Sequence, residues 1–169
     1  GGLRRGVRAG LSRVPWRQVP EDLTMEGIKK ILIATDGSDN TKAAVSYGLW
    51  LAKELGAEVT ALYVVDPTSF GGFPLVSSIV SVSSLLENEG KKAVEDVKAE
   101  GDSKGVKVTP MVLEGSPTRK ILETAAGFDL VVMGTLGRSA LGKLFMGSVA
   151  ERVTRYAPCP VLVVRAKKG

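Results

Sequence analysis

The sequence has no histidine and a single cysteine, Cys159. The first absence removes Ser-His-Asp and Cys-His catalysis, histidine general bases and most zinc or copper sites. The second rules out an internal disulfide framework and fits a reducing, cytoplasmic compartment. No apolar run approaches the roughly 18 residues that a membrane span needs. Strong charge is missing too. The formal net charge is +5, and most of it sits in residues 1–24, where Arg4, Arg5, Arg8, Arg13 and Arg17 face only Glu21 and Asp22. The surplus on the rest of the chain is too mild to indicate a nucleic-acid partner. Any bound metal would have to be a hard ion on carboxylates and phosphates.

What is present suits one soluble globular domain: 169 residues, 44% hydrophobic and 24% charged. Residues 1–24 lack the apolar centre of a secretory signal. Met25 opens "MEGIKKILIATDGS", which reads as a natural start. Residues 1–24 are therefore expected to be a basic leader or N-terminal extension, and residues 25–169 the domain.

From Lys30 onward, short apolar runs alternate with amphipathic ones. "KILIATD" (30–36), "VTALYVVD" (59–66), "KVTPMVLE" (107–114), "DLVVMG" (129–134) and "PVLVV" (160–164) read as strands. They are nearly continuous in β-branched and apolar residues, as expected of strands covered on both faces. Ala44, Tyr47, Gly48, Leu51, Ala52 and Leu55 are spaced as the buried stripe of a first helix, which Gly56 stops. A second helix is expected from about Ser84 to Lys104. A third begins at Ser116-Pro117, and a fourth spans Ser148 to Tyr156. The alternation predicts an α/β fold, a single doubly wound parallel five-stranded sheet with helices on both faces. Residues 67–84 are expected to form a long irregular flap.

"GTLGRSALGKLFMGS" (134–148) supports three readings. From Gly137 it has the spacing G-x-x-x-x-G-K of a P-loop, but Leu144 stands where a magnesium-holding Ser or Thr belongs. No later strand supplies a second metal ligand either, and the P-loop is set aside. In the second reading the glycines only make turns, with Ser148 and Glu151 forming a capping box. In the third, Gly134 and Gly137 follow a strand, and Gly147-Ser148 open a helix nine residues later. Backbone N–H groups would then converge on a phosphate from two directions. Arg138 and Lys143 would add positive charge.

In that third register Gly134, Gly137, Gly147 and Ser148 fill G-x2-G-x9-G-S/T, which resembles the nucleotide motif of the universal stress protein family. The resemblance spans residues 27–166. "KKILIATDGSDNTKAAVSYGLWLA" is similar to the family's opening strand and helix, and "CPVLVV" to its closing strand. The resemblance implies the strand order 3-2-1-4-5 and ATP at the carboxyl ends of strands 1 and 4. Mg or Mn would be held mainly by the phosphates. By position it implies that Ala34, Thr35 and Asp36 line the ribose and adenine side, Asp36 accepting from a ribose hydroxyl or a water. Val64 would meet adenine through its backbone and Met133 would pack near the base. Val149 would offer a backbone N–H to phosphate beside Ser148. Leu136 stands where relatives often have histidine, which removes that side-chain contact.

Alternatives stay open for several of these residues. Asp36 also suits a turn-and-cap role before the first helix, and Val64 suits the core. "TDGSDNT" resembles the S-G-G-x-D-S loop of ATP pyrophosphatases, but Asp36 would set a carboxylate against phosphate there. Three functional readings follow. One is an ATP-binding regulatory stress-response protein whose bound nucleotide biases loops that a protein partner recognises. Another is a slow ATPase or adenylate-transferring enzyme with Asp36 orienting water. The third is a nucleotide-independent dimeric scaffold. No catalytic residue and no metal ligand is assigned. A homodimer through the final strand is expected, because a bare apolar edge strand invites pairing. Cys159 reads as a small apolar residue rather than a redox switch.

Overall fold

In the strand "KILIA" successive side chains point to opposite faces, and both faces of this strand are buried. The computed structural model describes residues 27–70, 76–137 and 146–166. Strands β1 (Lys30–Ala34), β2 (Glu58–Val65), β3 (Val108–Glu114), β4 (Leu130–Gly134) and β5 (Val161–Val164) form one sheet. Its order is β3-β2-β1-β4-β5, and every neighbouring pair is parallel. Helices α1 (Asp39–Leu55), α2 (Val76–Ser103), α3 (Pro117–Ala125) and α4 (Ser148–Tyr156) cover the two faces. The expected fold class is thus the observed one. The leader and the loop carrying Arg138 and Lys143 lie outside the described residues.

The alternation along the central strands divides the core in two. Ile31, Ile33 and Val132 pack with Ala44, Val45 and Leu49 of α1 and with Val94 and Val97 of α2. Leu32, Ala34, Val131 and Met133 pack with Ile121 and Ala125 of α3 and with Ala150 and Val153 of α4. Each Val, Leu or Ile withdrawn from water in this way contributes about 1.5–3 kcal/mol. At the amino ends of the central strands, Asp129 Oδ2 accepts from the amides of both Lys29 and Lys30, each at 2.9 Å. The Asp129 amide donates in return to the Lys30 carbonyl at 2.9 Å.

Helix ends follow the residues expected to set them. Gly56 closes α1 in the left-handed conformation, φ 65° and ψ 30°. Ser116 precedes α3, with Pro117 in its first turn. Three expectations need correction. Tyr47 is exposed, because the buried stripe of α1 is Thr41, Ala44, Val45, Gly48, Leu49 and Ala52. The tyrosine instead packs edge-on to Trp50, with ring centroids 5.5 Å apart. Helix α2 begins at Val76 rather than near Ser84, and Pro67–Phe70 form a 3₁₀ turn, so the expected flap over 67–84 is shorter. Serine and valine cost a helix only a few tenths of a kcal/mol per residue, about 0.5. No glycine or proline interrupts 76–89, and the helix runs on. The third correction concerns the start of α4. Gly147 is its N-cap and Ser148 its first helical residue, with no side-chain cap bond. The capping box of Ser148 and Glu151 does not form, and Glu151 pairs with Arg155 instead.

Cys159 is half-buried against the α3/α4 half of the core. Burial pushes its thiol above the usual range, and the nearby Asp129 charge adds to this, while a hydrogen bond with the Val131 backbone opposes it. A thiol held protonated in this way reacts slowly.

At Gly48 α1 lies close against the sheet. A Cβ there would come within 2.7 Å of Ile33 Cδ1 and 3.3 Å of Val132 Cγ1. Overpacking of this kind costs about 1–3 kcal/mol. Gly48→Val is expected to lower the urea midpoint accordingly, and an unchanged midpoint would contradict the close approach.

Candidate functional site

Strands β1 and β4 are neighbours, yet α1 leaves β1 toward one face and α4 follows β4 on the other. Where the winding reverses, no crossover helix joins the two carboxyl ends, the position at which open parallel sheets receive ligands. The segments that border it are Thr35 to Thr41, Thr135 to Gly137 and the start of α4.

The first segment is held by a serial chain of hydrogen bonds. The Gly37 amide donates to Thr35 Oγ1 at 3.1 Å. Thr35 Oγ1 and Thr41 Oγ1 lie 2.9 Å apart, both buried. Thr41 Oγ1 also reaches the Ser38 carbonyl at 3.0 Å and Asp36 Oδ1 at 3.5 Å, and donation to either leaves Thr35 as donor between the two hydroxyls. Asp36 Oδ1 accepts from the amide and hydroxyl of Ser38 at 2.9 and 2.6 Å. This is the turn-forming role of an aspartate ahead of a helix, with Ser38 as N-cap. Its other oxygen, Oδ2, faces the second segment, 3.1 Å from where a Gly137 Cβ would stand. On the first turn of α1 the exposed Asp39 and Lys42 pair at 2.6 Å, and Lys42 holds the Asp39 carboxyl below its usual range.

The second segment is tied to β5 and α4 through buried Thr135. Its amide donates to the Val164 carbonyl at 3.1 Å, and its carbonyl accepts from the Gly147 amide at 2.6 Å. None of Gly134, Gly137 and Gly147 has a positive φ, so their glycine character does not come from turn conformation. It comes from crowding. A Cβ on Gly134 would meet the Asn40 carbonyl oxygen at 3.1 Å, and one on Gly147 the Thr135 carbonyl oxygen at 3.3 Å. The glycines let α1, the loop after β4 and the start of α4 close upon one another.

At α4 the first intrahelical acceptor is the Gly147 carbonyl, which takes the Glu151 amide at 3.0 Å. The amides of Ser148, Val149 and Ala150 find no acceptor among the described residues, as at any helix start. The exposed Ser148 hydroxyl has no partner there either. Such an end favours an anion. The Gly147 amide does not contribute, because Thr135 takes it.

The apolar residues expected on the base side share one face. Ala34, Met133 and the half-buried Val64 all pack in the α3/α4 half of the core, as does Val149. The amide of Thr35 bonds the Leu62 carbonyl at 2.9 Å and its hydroxyl lies in the chain above, so Thr35 is framework. The sequence reading passed over Asn40, Thr41 and Thr135. The signal for Thr41 was present in "TDGSDNT", since a threonine three residues after a cap serine lies on the inner side of the first turn. Among the described residues no group of acidic, cysteine or histidine side chains could hold a metal ion. Nor is any described helix long and apolar enough to cross a membrane.

Removal of the Thr41 hydroxyl would leave the buried Thr35 proton without an acceptor. A loss of this kind costs about 1–3 kcal/mol. Thr41→Val is expected to lose that much in chemical denaturation, and a neutral result would refute the chain.

A family model described as "Universal stress protein family" matches residues 27–165. The chain is 46% identical over 142 residues to a universal stress protein of Methanocaldococcus jannaschii, covering 83% of this chain and 84% of that one. In structure it is similar to universal stress protein UspA from Lactobacillus plantarum. The TM-score is 0.74 at 26% identity, covering 81% of this chain and 97% of that chain. Two solved proteins that share only the fold carry nucleotides. One is a universal stress protein in complex with cAMP, with TM-score 0.62 at 21% identity over 83% and 98% of the chains. The other is a family protein from Arabidopsis thaliana with AMP bound, with TM-score 0.61 at 15% identity over 82% and 92%.

Proposed function

The chain belongs to the universal stress protein family, and we propose that it is an ATP-binding regulatory stress-response protein of that family. One observation carries the reading. The Asp36 turn approaches Gly137, and Gly137 in turn lies beside Gly147, the residue that opens α4, where the winding reverses between β1 and β4. Adenine would lie over Ala34, Val64 and Met133, the three residues that share a face. Asp36, whose Oδ2 faces Gly137, would accept from a ribose hydroxyl. The phosphates would run past Gly134 and Gly137 to the amides of Ser148 and Val149 and to the Ser148 hydroxyl, at the end of α4 that Gly147 caps. Charge-assisted contacts of that kind contribute about 1.5–3 kcal/mol each. Mg or Mn would ride on the phosphates. The AMP and cAMP carried on this fold by two structural neighbours are in keeping with an adenine nucleotide.

A regulatory role follows from the chemistry of the crevice. It brings together a carboxylate already engaged in a turn, backbone amides and hydroxyls. The sequence has no histidine to serve as general base. Bound nucleotide would act by favouring a form of the protein that a protein partner reads. The alternative, a slow ATPase, would need Asp36 to orient water.

Valine at 137 would drive its Cβ to within 3.1 Å of Asp36 Oδ2 and crowd the loop. In isothermal titration the wild-type chain is expected to bind ATP, and Gly137→Val to bind it at least about tenfold more weakly, a difference of about 1.4 kcal/mol. Equal binding by both, or none by the wild type, would overturn the reading.

The dimer is part of the same proposal. Strand β5 is at the sheet edge, and each residue from Val161 to Val164 is half-exposed. An apolar edge left open pairs readily with another. Light scattering on the purified chain is expected to give twice the mass of one chain, and a monomer at micromolar concentration would refute the pairing.

A further inference from the structure

We infer that Asn40 is a positioning residue that fixes Gly137, just after β4, for the phosphates while leaving the nucleoside side untouched. The inference rests on the nucleotide reading above and deepens it by dividing the site into two separately held parts.

Asn40 sits in the first turn of α1, and its half-buried side chain reaches across 97 positions of sequence. Its Nδ2 donates to the Gly137 carbonyl at 3.1 Å. This is the only hydrogen bond made by Gly137 among the described residues. The other ties of this segment belong to Thr135, two residues earlier, through Val164 and Gly147. The crowding around Gly137 depends on the same placement. Its Cα faces Asp36 Oδ2, and its amide nitrogen lies 3.9 Å from the position of a Gly147 Cβ. Gly137 is therefore the point where the Asp36 turn, α1 and the start of α4 come together, and Asn40 is the side chain that holds it.

The backbone of the same residue helps. The Asn40 carbonyl oxygen lies 3.1 Å from where a Gly134 Cβ would be, so the first turn of α1 is already pressed against the end of β4. The amide of Asn40 spans the small remaining distance to Gly137. Asparagine supplies a donor where aspartate would set a carboxylate against a carbonyl oxygen. The base side has no such dependence. Ala34, Val64 and Met133 are set by strands β1, β2 and β4, and Asp36 by Ser38. Loss of the Asn40 donor would free Gly137 and leave those groups in place.

The test is isothermal titration of the full-length chain with ATP and with adenosine, alongside thermal midpoints. Loss of one hydrogen bond of ordinary strength corresponds to about fivefold to tenfold in affinity. Asn40→Ala is expected to weaken ATP by that factor and to leave adenosine within about twofold. Asn40→Asp is expected to weaken ATP further. A merely structural role would lower the thermal midpoint and weaken both ligands by the same factor, which would overturn the inference. So would unchanged ATP affinity in Asn40→Ala. If the alanine variant does not fold, the ATP-to-adenosine ratio of Asn40→Asp decides by the same criterion. A wild-type chain that binds neither ligand would overturn the nucleotide reading and this inference together. An unchanged ratio in a chain that binds ATP would remove the role of Asn40 alone.

Discussion

Strands β1 and β4 are sealed on both faces, and the polar groups at their carboxyl ends must be satisfied by the segments that leave the sheet. A buried hydroxyl or amide without a partner costs about 1–3 kcal/mol. The buried polar ones among the described residues are all threonines: Thr35, Thr41 and Thr135. Among the described residues no buried side-chain nitrogen or oxygen lacks a partner. Thr35 and Thr41 form a chain that ends on the Ser38 carbonyl, and Thr135 joins β5 to the start of α4 through its backbone. The order needed to bury the sheet therefore also builds the rim of the crevice.

Close approach is the second constraint, and it explains the glycines better than turn conformation does. Gly48 admits α1 to the β1–β4 seam, Gly134 admits the first turn of α1 to the end of β4, and Gly147 admits α4 to Thr135. Each is a place where a methyl group would strike another part of the chain. A ligand reading of the G-x2-G-x9-G-S/T pattern and a packing reading of its glycines are therefore compatible. The pattern closes three segments together, and the amides of Ser148, Val149 and Ala150 beside it have no acceptor among the described residues.

The sequence disclosed the architecture because its signals were redundant. Five apolar runs, a glycine at the end of α1 and Ser-Pro at the start of α3 all agree with the structure. It misled where one signal stood alone. Tyr47 fitted the helical period one position away from the true stripe, since Thr41, Val45 and Leu49 bury the adjacent line. The run of Ser and Val before Leu85 looked non-helical, but weak propensities do not stop a helix that lacks a breaker. Ser148 matched a capping box, yet the cap falls on Gly147, whose amide is held by Thr135 from another part of the fold. Ala34, Val64 and Met133 were legible as residues of one sheet face because they belong to strands. Asn40 was not, because its bond to Gly137 joins residues that only the completed sheet brings together.

The Asp129 carboxylate, far from the crevice, gives the central strands an asymmetry. It grips both Lys29 and Lys30 amides at the amino end of the seam. One end of the β1–β4 pair is thus latched by side chain and backbone together, and the other is closed by loops. A substitution among the turns at the carboxyl end therefore leaves the bonds that Asp129 makes at the amino end in place.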